Sequence, residues 1–179
     1  MNTKNNKRRR ASREKLEHVF IELLQTKRIQ EISVSDLCKA AGLNRSTFYA
    51  NYADIFDLAD TIRKKLEDEV GKLYEEERLH HYNSNDFLKL FRHIRDNQLF
   101  YKTYFKLGYH HDSGTYQYDV HQAERSFENR YIDYHIEFFR NGFNAIVRRW
   151  LDGGCRETPE EMEEILKTEY LGRHSSGFN

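Results

Sequence analysis

Proline is nearly absent from this chain. It occurs once in 179 residues, where average usage of about 5% would give roughly nine. Glycine is also scarce, with nine residues. Proline and glycine are the residues that most often interrupt helices, so a chain almost free of them is most simply all-helical. The 12 Tyr and 12 Phe are too many for a disordered chain. The sequence therefore predicts an all-α protein with a packed core.

The apolar residues occur only in short runs of up to three, such as Val19-Phe20-Ile21, whereas a membrane-spanning helix needs about 20. The basic N-terminus is not followed by an apolar segment, so we do not expect a signal peptide. Cys38 and Cys155 are far apart and lack a CxxC context, which is typical of reduced thiols. These features predict a cytoplasmic protein.

The charges are unevenly distributed although the net charge is zero. Residues 1–53 carry 11 Lys+Arg against 5 Asp+Glu, and residues 54–179 carry 18 against 24. Residues 1–10 lack apolar periodicity and predict a flexible basic arm. Two interpretations stay open from charge alone, a module that binds a polyanion and a solvated, disordered tail.

The first 54 residues have the pattern of three helices. We expect the first helix to start at Ser12 as N-cap and to end near Thr26. Ser33 then caps a second helix that Gly42 ends in the left-handed conformation, and Asn44 caps a third. A short helix, a tight glycine turn and a second short helix are the sequence outline of a helix-turn-helix.

The third helix is predicted to expose side chains that can hydrogen-bond base edges or phosphates. These are Arg45, Ser46, Thr47, Tyr49 and Asn51. Phe48 and Tyr52, four residues apart, are predicted to face the small core.

The remaining two thirds of the chain predict further amphipathic helices. A fourth runs from Asp54 to about Arg78, a fifth ends near Asn97, and a sixth ends at Gly108. A polar and aromatic loop at 108–120 precedes a poorly marked helix start between Val120 and Phe127. A long helix then runs to about Leu151, and Thr158-Pro159-Glu160-Glu161 starts the last one; residues 172–179 are expected to fray.

The long helix carries apolar residues on two faces, which predicts burial against its own domain on one side and against a partner subunit on the other. Gly142 in its middle suggests a close helix crossing. Together with the last helix it would form a four-helix bundle across a two-fold axis. The predicted dimer interface consists of Phe139, Phe143, Ile146, Trp150, Met162, Ile165 and Leu166.

Residues 33–58 resemble the Tet repressor (TetR) family of bacterial transcription regulators. The resemblance lies in the segment Ser33-Val34-Ser35-Asp36-Leu37-Cys38-Lys39-Ala40-Ala41-Gly42-Leu43-Asn44-Arg45-Ser46-Thr47-Phe48-Tyr49, followed by Tyr52 and Leu58. More loosely, Phe138–Phe143, Arg149–Leu151, Gly153–Cys155 and Thr158–Glu161 look like the last helices of a Gram-positive subgroup. That subgroup includes dihydroxyacetone-kinase regulators, both repressors and activators.

The resemblance implies a DNA-binding domain at 1–54 and a helical effector-binding and dimerisation domain at 55–179. The implied protein is a regulator, more readily a repressor, that binds operator DNA as a homodimer and is modulated by a small-molecule effector. The expected DNA contacts, which include the helix N-terminus at Ser33, are Arg10, Ser12, Ser33, Lys39, Asn44, Arg45, Ser46, Thr47, Tyr49, Asn51 and Tyr52. Two departures remove phosphate contacts that are common in the family, Ile55 where many members have Lys and Asn51 where many have His.

Other interpretations remain at this stage. A protein partner acting on the C-terminal domain would make the chain a partner-dependent activator, and a small helical enzyme is a remote alternative without a catalytic motif. The pairs His80-His81 and His110-His111 lack metal-ligand spacing, so no metal and no cofactor are expected. Helix-spaced aromatic residues line either a ligand pocket or the core; these are Phe87, Phe91, Tyr101, Tyr104, Phe105, Tyr134 and Phe138.

Overall fold

The computed structural model describes residues 4–80, 86–107 and 131–175, and these residues form α-helices, one short 3-10 turn and their connections, with no strand among them. The expectation of an all-α protein is confirmed. The helices are α1 (Lys4–Thr26), α2 (Val34–Ala41), α3 (Arg45–Tyr49), α4 (Ile55–Leu73), α5 (Glu75–Leu79), α6 (Phe87–Asp96), α7 (Gln98–Lys106), α8 (Ile132–Asp152) and α9 (Pro159–Ser175); the 3-10 turn is Ile29–Glu31.

Several helix ends follow the capping residues that the sequence predicts. The Ser33 hydroxyl accepts the Asp36 N–H at 3.1 Å, and Gly42 ends α2 at φ 58°. The Asp54 carboxylate accepts the Asp57 N–H at 2.8 Å at the start of α4. At α9 the Thr158 Oγ1 accepts the Glu161 N–H at 3.2 Å, and the Glu161 carboxylate accepts the Thr158 N–H at 2.7 Å, which is a complete capping box.

The start of α1 differs from the prediction. The helix begins at Lys4, so the described part of the basic stretch is helical. Ser12 lies inside α1 and donates its hydroxyl to the Arg8 carbonyl at 3.1 Å. The sequence pattern missed this extension because residues 6–11 are exposed on every side, and a solvated helix shows no apolar periodicity.

The fourth predicted helix is interrupted at Tyr74. Tyr74 has a non-helical φ of −114°, so α4 ends at Leu73 and the short α5 follows. At the other end of the chain, α9 continues to Ser175, further than the fraying expected from residue 172. Gly108, the loop at 108–120 and the helix start expected between Val120 and Phe127 lie outside the described residues.

The described residues form two compact units. The first contains residues 4–70 and 102–107, and the second contains 71–80, 86–101 and 131–175. The units reflect how densely residues pack, and the functional division at 54/55 stays a prediction. The core of the first unit is formed by fully or almost fully buried side chains of its helices, Leu16, Phe20, Leu24, Leu37, Phe48, Leu58 and Ile62.

The core of the second unit is aromatic. The Phe91 ring lies 5.8 Å from Phe143 and 5.7 Å from Trp150, measured between ring centroids. Phe143 and Trp150 are each 2% exposed. One face of α8 is therefore used inside its own unit, as its periodicity predicts.

Candidate nucleic-acid interface

The helix-turn-helix is built around Phe48, which is fully buried and comes from the middle of α3. Its ring centroid lies 5.4 Å from that of Tyr49 and 5.8 Å from that of Tyr52. Gly42 supplies the left-handed turn that lets α3 follow α2 after three residues. With one side of α3 fixed in the core, the opposite side faces solvent.

Most of the predicted DNA contacts are accessible. Arg10, Ser33, Lys39, Asn44, Arg45, Ser46 and Tyr49 are exposed, and Ser12, Thr47 and Asn51 are half-buried. Arg45 Nη2 donates to the Tyr49 hydroxyl at 3.5 Å, one turn along α3. Asn44 occupies the N-cap position of α3 as predicted, but its side chain makes no capping hydrogen bond. These positions place hydrogen-bonding groups along the outer side of α3; whether they contact DNA stays a prediction.

Tyr52 has a different environment from the other predicted contacts. It is 3% exposed, and its hydroxyl donates to Glu17 Oε1 at 2.7 Å. Burial, reinforced by the hydrogen bond to the Glu17 carboxylate, raises the pKa of Tyr52 to about 12. The structure therefore gives Tyr52 the core position that its spacing from Phe48 predicts, and not the surface position that a DNA contact needs.

Glu17 connects α1 with α4 and with Tyr52, which follows α3. Its carboxylate accepts the Tyr52 hydroxyl and lies 2.5 Å from Lys65 Nζ on α4 and 3.8 Å from Arg13 Nη2 on α1. Its side chain is only 13% exposed. Because a poorly solvated carboxylate needs such partners, this group fixes α1, the end of α3 and α4 to one another. The sequence pattern did not reveal it, since its members are separated by up to 48 residues.

A second contact joins the N-terminal part of α1 to the end of α3. Arg9 Nη2 donates to the Ala50 carbonyl at 2.9 Å, and Arg9 Nε donates to Asn51 Oδ1 at 3.1 Å. Asn51 Nδ2 in turn donates to the Thr47 carbonyl at 2.7 Å. The basic stretch was predicted only as a flexible arm, so this contact was missed.

The start of α4 explains one of the departures from the family pattern. Ile55 is 6% exposed and belongs to the core, so it presents nothing to a phosphate. The next residue, Phe56, is 57% exposed. The cationic position that many family members have here is absent, and an apolar ring is accessible beside it.

The aromatic residues predicted to line a ligand pocket occupy three environments. Phe91 and Tyr101 are buried in the second unit, where Phe87 is half-buried and its ring lies 5.9 Å from Phe143. Tyr104 and Phe105 belong to the first unit. Tyr134 and Phe138 are 77% and 63% exposed. The ligand pocket stays a prediction.

The residues predicted at the dimer interface are also divided. Phe143, Trp150, Met162 and Leu166 are buried inside the second unit, so this arrangement leaves them almost no surface for a partner. Phe139 and Ile146 are half-buried, and Ile165 is 42% exposed. The sequence pattern identified two apolar faces on α8, but the predicted interface was drawn mainly from the face that packs inward.

The outward face of α8 contains Tyr134, Phe138, Gly142 and Ala145, all exposed. A Cβ added to Gly142 would meet no atom of the described residues within 4 Å. Within the described part of the chain, the close helix crossing expected at Gly142 is therefore not made.

The described residues offer neither a metal site nor a membrane span. No group of three or more His, Cys, Asp or Glu residues is arranged to hold a metal ion in the parts of the chain that the structure describes. No described helix combines the length and the apolar character that a membrane span requires.

Sequence comparison supports the resemblance to the TetR family. Residues 83–169 match the TetR_C_8 family model, described as a transcriptional regulator C-terminal region. This match and the relative below support a transcription regulator of the TetR type. It is 30% identical over 86 residues to the HTH-type dhaKLM operon transcriptional activator DhaS of Lactococcus lactis subsp. lactis (strain IL1403). That match covers 48% of this chain and 44% of the relative, so the chain spans less than half the length of that regulator.

The structure is also similar to that of a dihydroxyacetone kinase operon activator, DhaS. The two chains are 20% identical, the match covers 90% of this chain and 95% of the other, and the TM-score is 0.46. A TM-score below 0.5 does not establish a common fold.

Proposed function

We propose that this TetR-family regulator is a cytoplasmic protein that binds an operator in double-stranded DNA as a homodimer, with α3 in the major groove. The observation that carries the proposal is the outer side of α3, where exposed Arg45, Ser46 and Tyr49 lie on a helix fixed from behind by buried Phe48. Arginine, serine and tyrosine supply the donors and acceptors that contact base edges and phosphates. The excess of basic residues in 1–53 supports the same end of the chain.

The test begins with DNA, because the operator is unidentified. A random pool of duplexes is enriched on the full-length chain, and the affinity for the recovered duplex is measured by fluorescence anisotropy at several salt concentrations. Each phosphate that the protein neutralises should contribute about −0.9 to the slope of log affinity against log salt. Removing residues 1–10 should make that slope shallower. Failure to enrich any duplex would contradict the proposal.

We propose that the homodimer forms through the outward face of α8 together with α9. Tyr134, Phe138 and Ala145 on α8 and Ile165 on α9 are exposed in the single chain. The open space at Gly142 on the same face would let a second helix approach closely. An interface of two helices from each subunit is self-complementary around a two-fold axis.

Substitutions that place a charge on this face test the dimer. Phe138→Glu and Ile165→Glu are each expected to sediment as monomers at micromolar concentration, because an unpaired charge is costly in an apolar interface. Gln30→Glu is the matched control, since it adds the same charge at an exposed position of the first unit, and it should leave the dimer intact. Dimers in both test variants would place the interface elsewhere.

We propose that a small-molecule effector bound by residues 55–179 changes the spacing of the two α3 helices and thereby releases the DNA. Two recognition helices must lie about 34–36 Å apart to enter successive major grooves. A ligand shifts that spacing only by its difference in affinity for the two arrangements. The test is thermal unfolding of the purified chain with and without an ultrafiltered small-molecule extract. Any fraction that stabilises the chain is then added to the anisotropy assay, which measures whether the affinity for DNA falls. The absence of any stabilising fraction would count against an effector.

A second candidate function is activation that depends on a protein partner. It is favoured by the function of the L. lactis relative, which is a transcriptional activator. Transcription from a template that carries the enriched duplex beside a promoter distinguishes the two candidates. A repressor lowers transcript yield by itself, whereas a partner-dependent activator raises it only when a binding protein is added. We propose that the chain has no enzymatic activity in either case, and turnover of a substrate by the purified chain would contradict this.

A further inference from the structure

We infer that Arg9 positions the recognition helix and so acts on DNA specificity without reading a base itself; the inference rests on the proposed DNA-binding function. It concerns the contact of Arg9 with Ala50 and Asn51. Arg9 lies on α1, 41 residues before Ala50 in sequence.

The recognition helix needs such support because it is short. α3 has five residues, Arg45–Tyr49, and no basic residue in its last turn. The last carbonyls of a helix have no partner within the helix, and isolated helices of this length are unstable in water. Its orientation therefore depends on contacts from the rest of the first unit.

Arg9 provides two of these contacts at the C-terminal end of α3. One guanidinium N–H binds the Ala50 carbonyl and another binds the Asn51 side chain, whose amide N–H binds the Thr47 carbonyl. A positive charge at the C-terminal end of a helix is also favourable to the helix dipole. Arg9 thus stabilises the last turn of α3 both directly and through Asn51.

The contact is part of a row along one face of α1. Arg9, Arg13 and Glu17 are spaced by four residues, which places them on the same side of the helix. Arg13 Nε donates to the Tyr52 hydroxyl at 3.4 Å, and Glu17 accepts from the same hydroxyl. This face of α1 therefore contacts residues 50, 51 and 52 in succession.

The fork shape of the guanidinium distinguishes positioning from simple charge. Arginine presents several N–H groups in a fixed plane, whereas lysine presents one compact ammonium group. Arg9→Lys keeps the positive charge for any phosphate nearby but cannot keep both hydrogen bonds in the same geometry. Arg10→Gln is the comparison, because Arg10 pairs with Glu14 one turn along the same helix. Among the described residues, Arg10 makes no hydrogen bond or ion pair with α3.

The experiment uses the full-length chain, the enriched duplex and a scrambled duplex of the same base composition. Arg9→Lys is expected to bind the enriched duplex about tenfold more weakly, which is the size of one net hydrogen bond to a charged group. Its affinity for the scrambled duplex and its salt slope should stay close to those of the wild type. Arg10→Gln should weaken binding to both duplexes by the same factor, because it removes charge alone.

Hydrogen exchange of the free protein provides the second readout. The amides of Ala50, Asn51 and Tyr52 bond to carbonyls of α3, so they should exchange faster in Arg9→Lys and in Arg9→Gln, and at the wild-type rate in Arg10→Gln. Wild-type exchange at these amides, or wild-type discrimination between the two duplexes, would overturn the inference. If no duplex is enriched, the proposed function fails while hydrogen exchange still decides whether Arg9 holds the end of α3.

Discussion

Replacing Tyr52 by Phe should destabilise the first unit by about 1.5–2 kcal/mol, since a hydrogen bond to a charged group contributes about 1.5–3 kcal/mol. The substitution removes one hydroxyl, which is 2.7 Å from Glu17 Oε1, and leaves the buried ring in place. The low end of the range applies because Glu17 keeps Lys65 Nζ at 2.5 Å and Arg13 Nη2 at 3.8 Å. Tyr49→Phe is the matched control: it deletes the same atom from a side chain that is 52% exposed, and should change stability by less than about 0.5 kcal/mol.

The effect should also depend on pH. Folding raises the pKa of Tyr52 to about 12 from its ordinary value of 10.0, so the folded state favours the neutral phenol. The resulting stabilisation is fully present below pH 10 and is lost as the pH rises through about 12. The difference in stability between the wild type and Tyr52→Phe should therefore shrink over that window.

Urea unfolding followed by circular dichroism, with hydrogen exchange of the α1 amides at neutral pH, measures the first unit. Tryptophan fluorescence does not report on the first unit, because the single tryptophan, Trp150, belongs to the second unit. If Tyr52→Phe were as stable as Tyr49→Phe, the assignment of the Tyr52–Glu17 hydrogen bond as a fixing contact would be refuted.

Three further substitutions follow from the structure. Gly42→Ala should lower the free energy of unfolding by about 1–2 kcal/mol, because φ is 58° there and a side chain strains that backbone conformation. Among the described residues an added Cβ would approach Lys15 Nζ at 3.7 Å, an ordinary contact, so no steric clash adds to the strain. An unchanged urea midpoint would argue against this prediction. Gly71→Ala should instead raise the free energy of unfolding by up to about 1 kcal/mol, since Gly71 lies in α4 and no atom of the described residues lies within 4 Å of an added Cβ. Phe91→Ala should cost about 3–5 kcal/mol and alter Trp150 fluorescence, because its fully buried ring contacts that indole; a native-like emission spectrum would be inconsistent with this packing.

Capping chemistry made the helix boundaries predictable. Ser33, Gly42 and Thr158 each act through atoms within three or four residues of themselves. Such local signals can be identified in the sequence without knowing the fold. The helix-turn-helix and the start of α9 were correctly predicted for this reason.

The contacts between distant helices were not predictable in the same way. Periodicity identified two apolar faces on α8 but could not say which one faces α6, and most residues assigned to the dimer interface proved to be in the core. The partners of Arg9 and Glu17 are determined by how α1 packs on α3 and α4, which no local pattern encodes. The helical start of α1 was missed because a helix exposed on all sides has no apolar stripe.

The central claim is that α3 reads DNA sequence, and base-by-base affinity of Arg45→Ala tests it most directly. Duplexes carrying every single substitution in the enriched site are compared for the wild type and the variant at one salt concentration. If Arg45 contacts a base edge, the variant should lose about 1–3 kcal/mol on the enriched duplex and should lose discrimination at one position in each half-site. An unchanged preference at every position, or an equal loss on all duplexes, would contradict base recognition by α3.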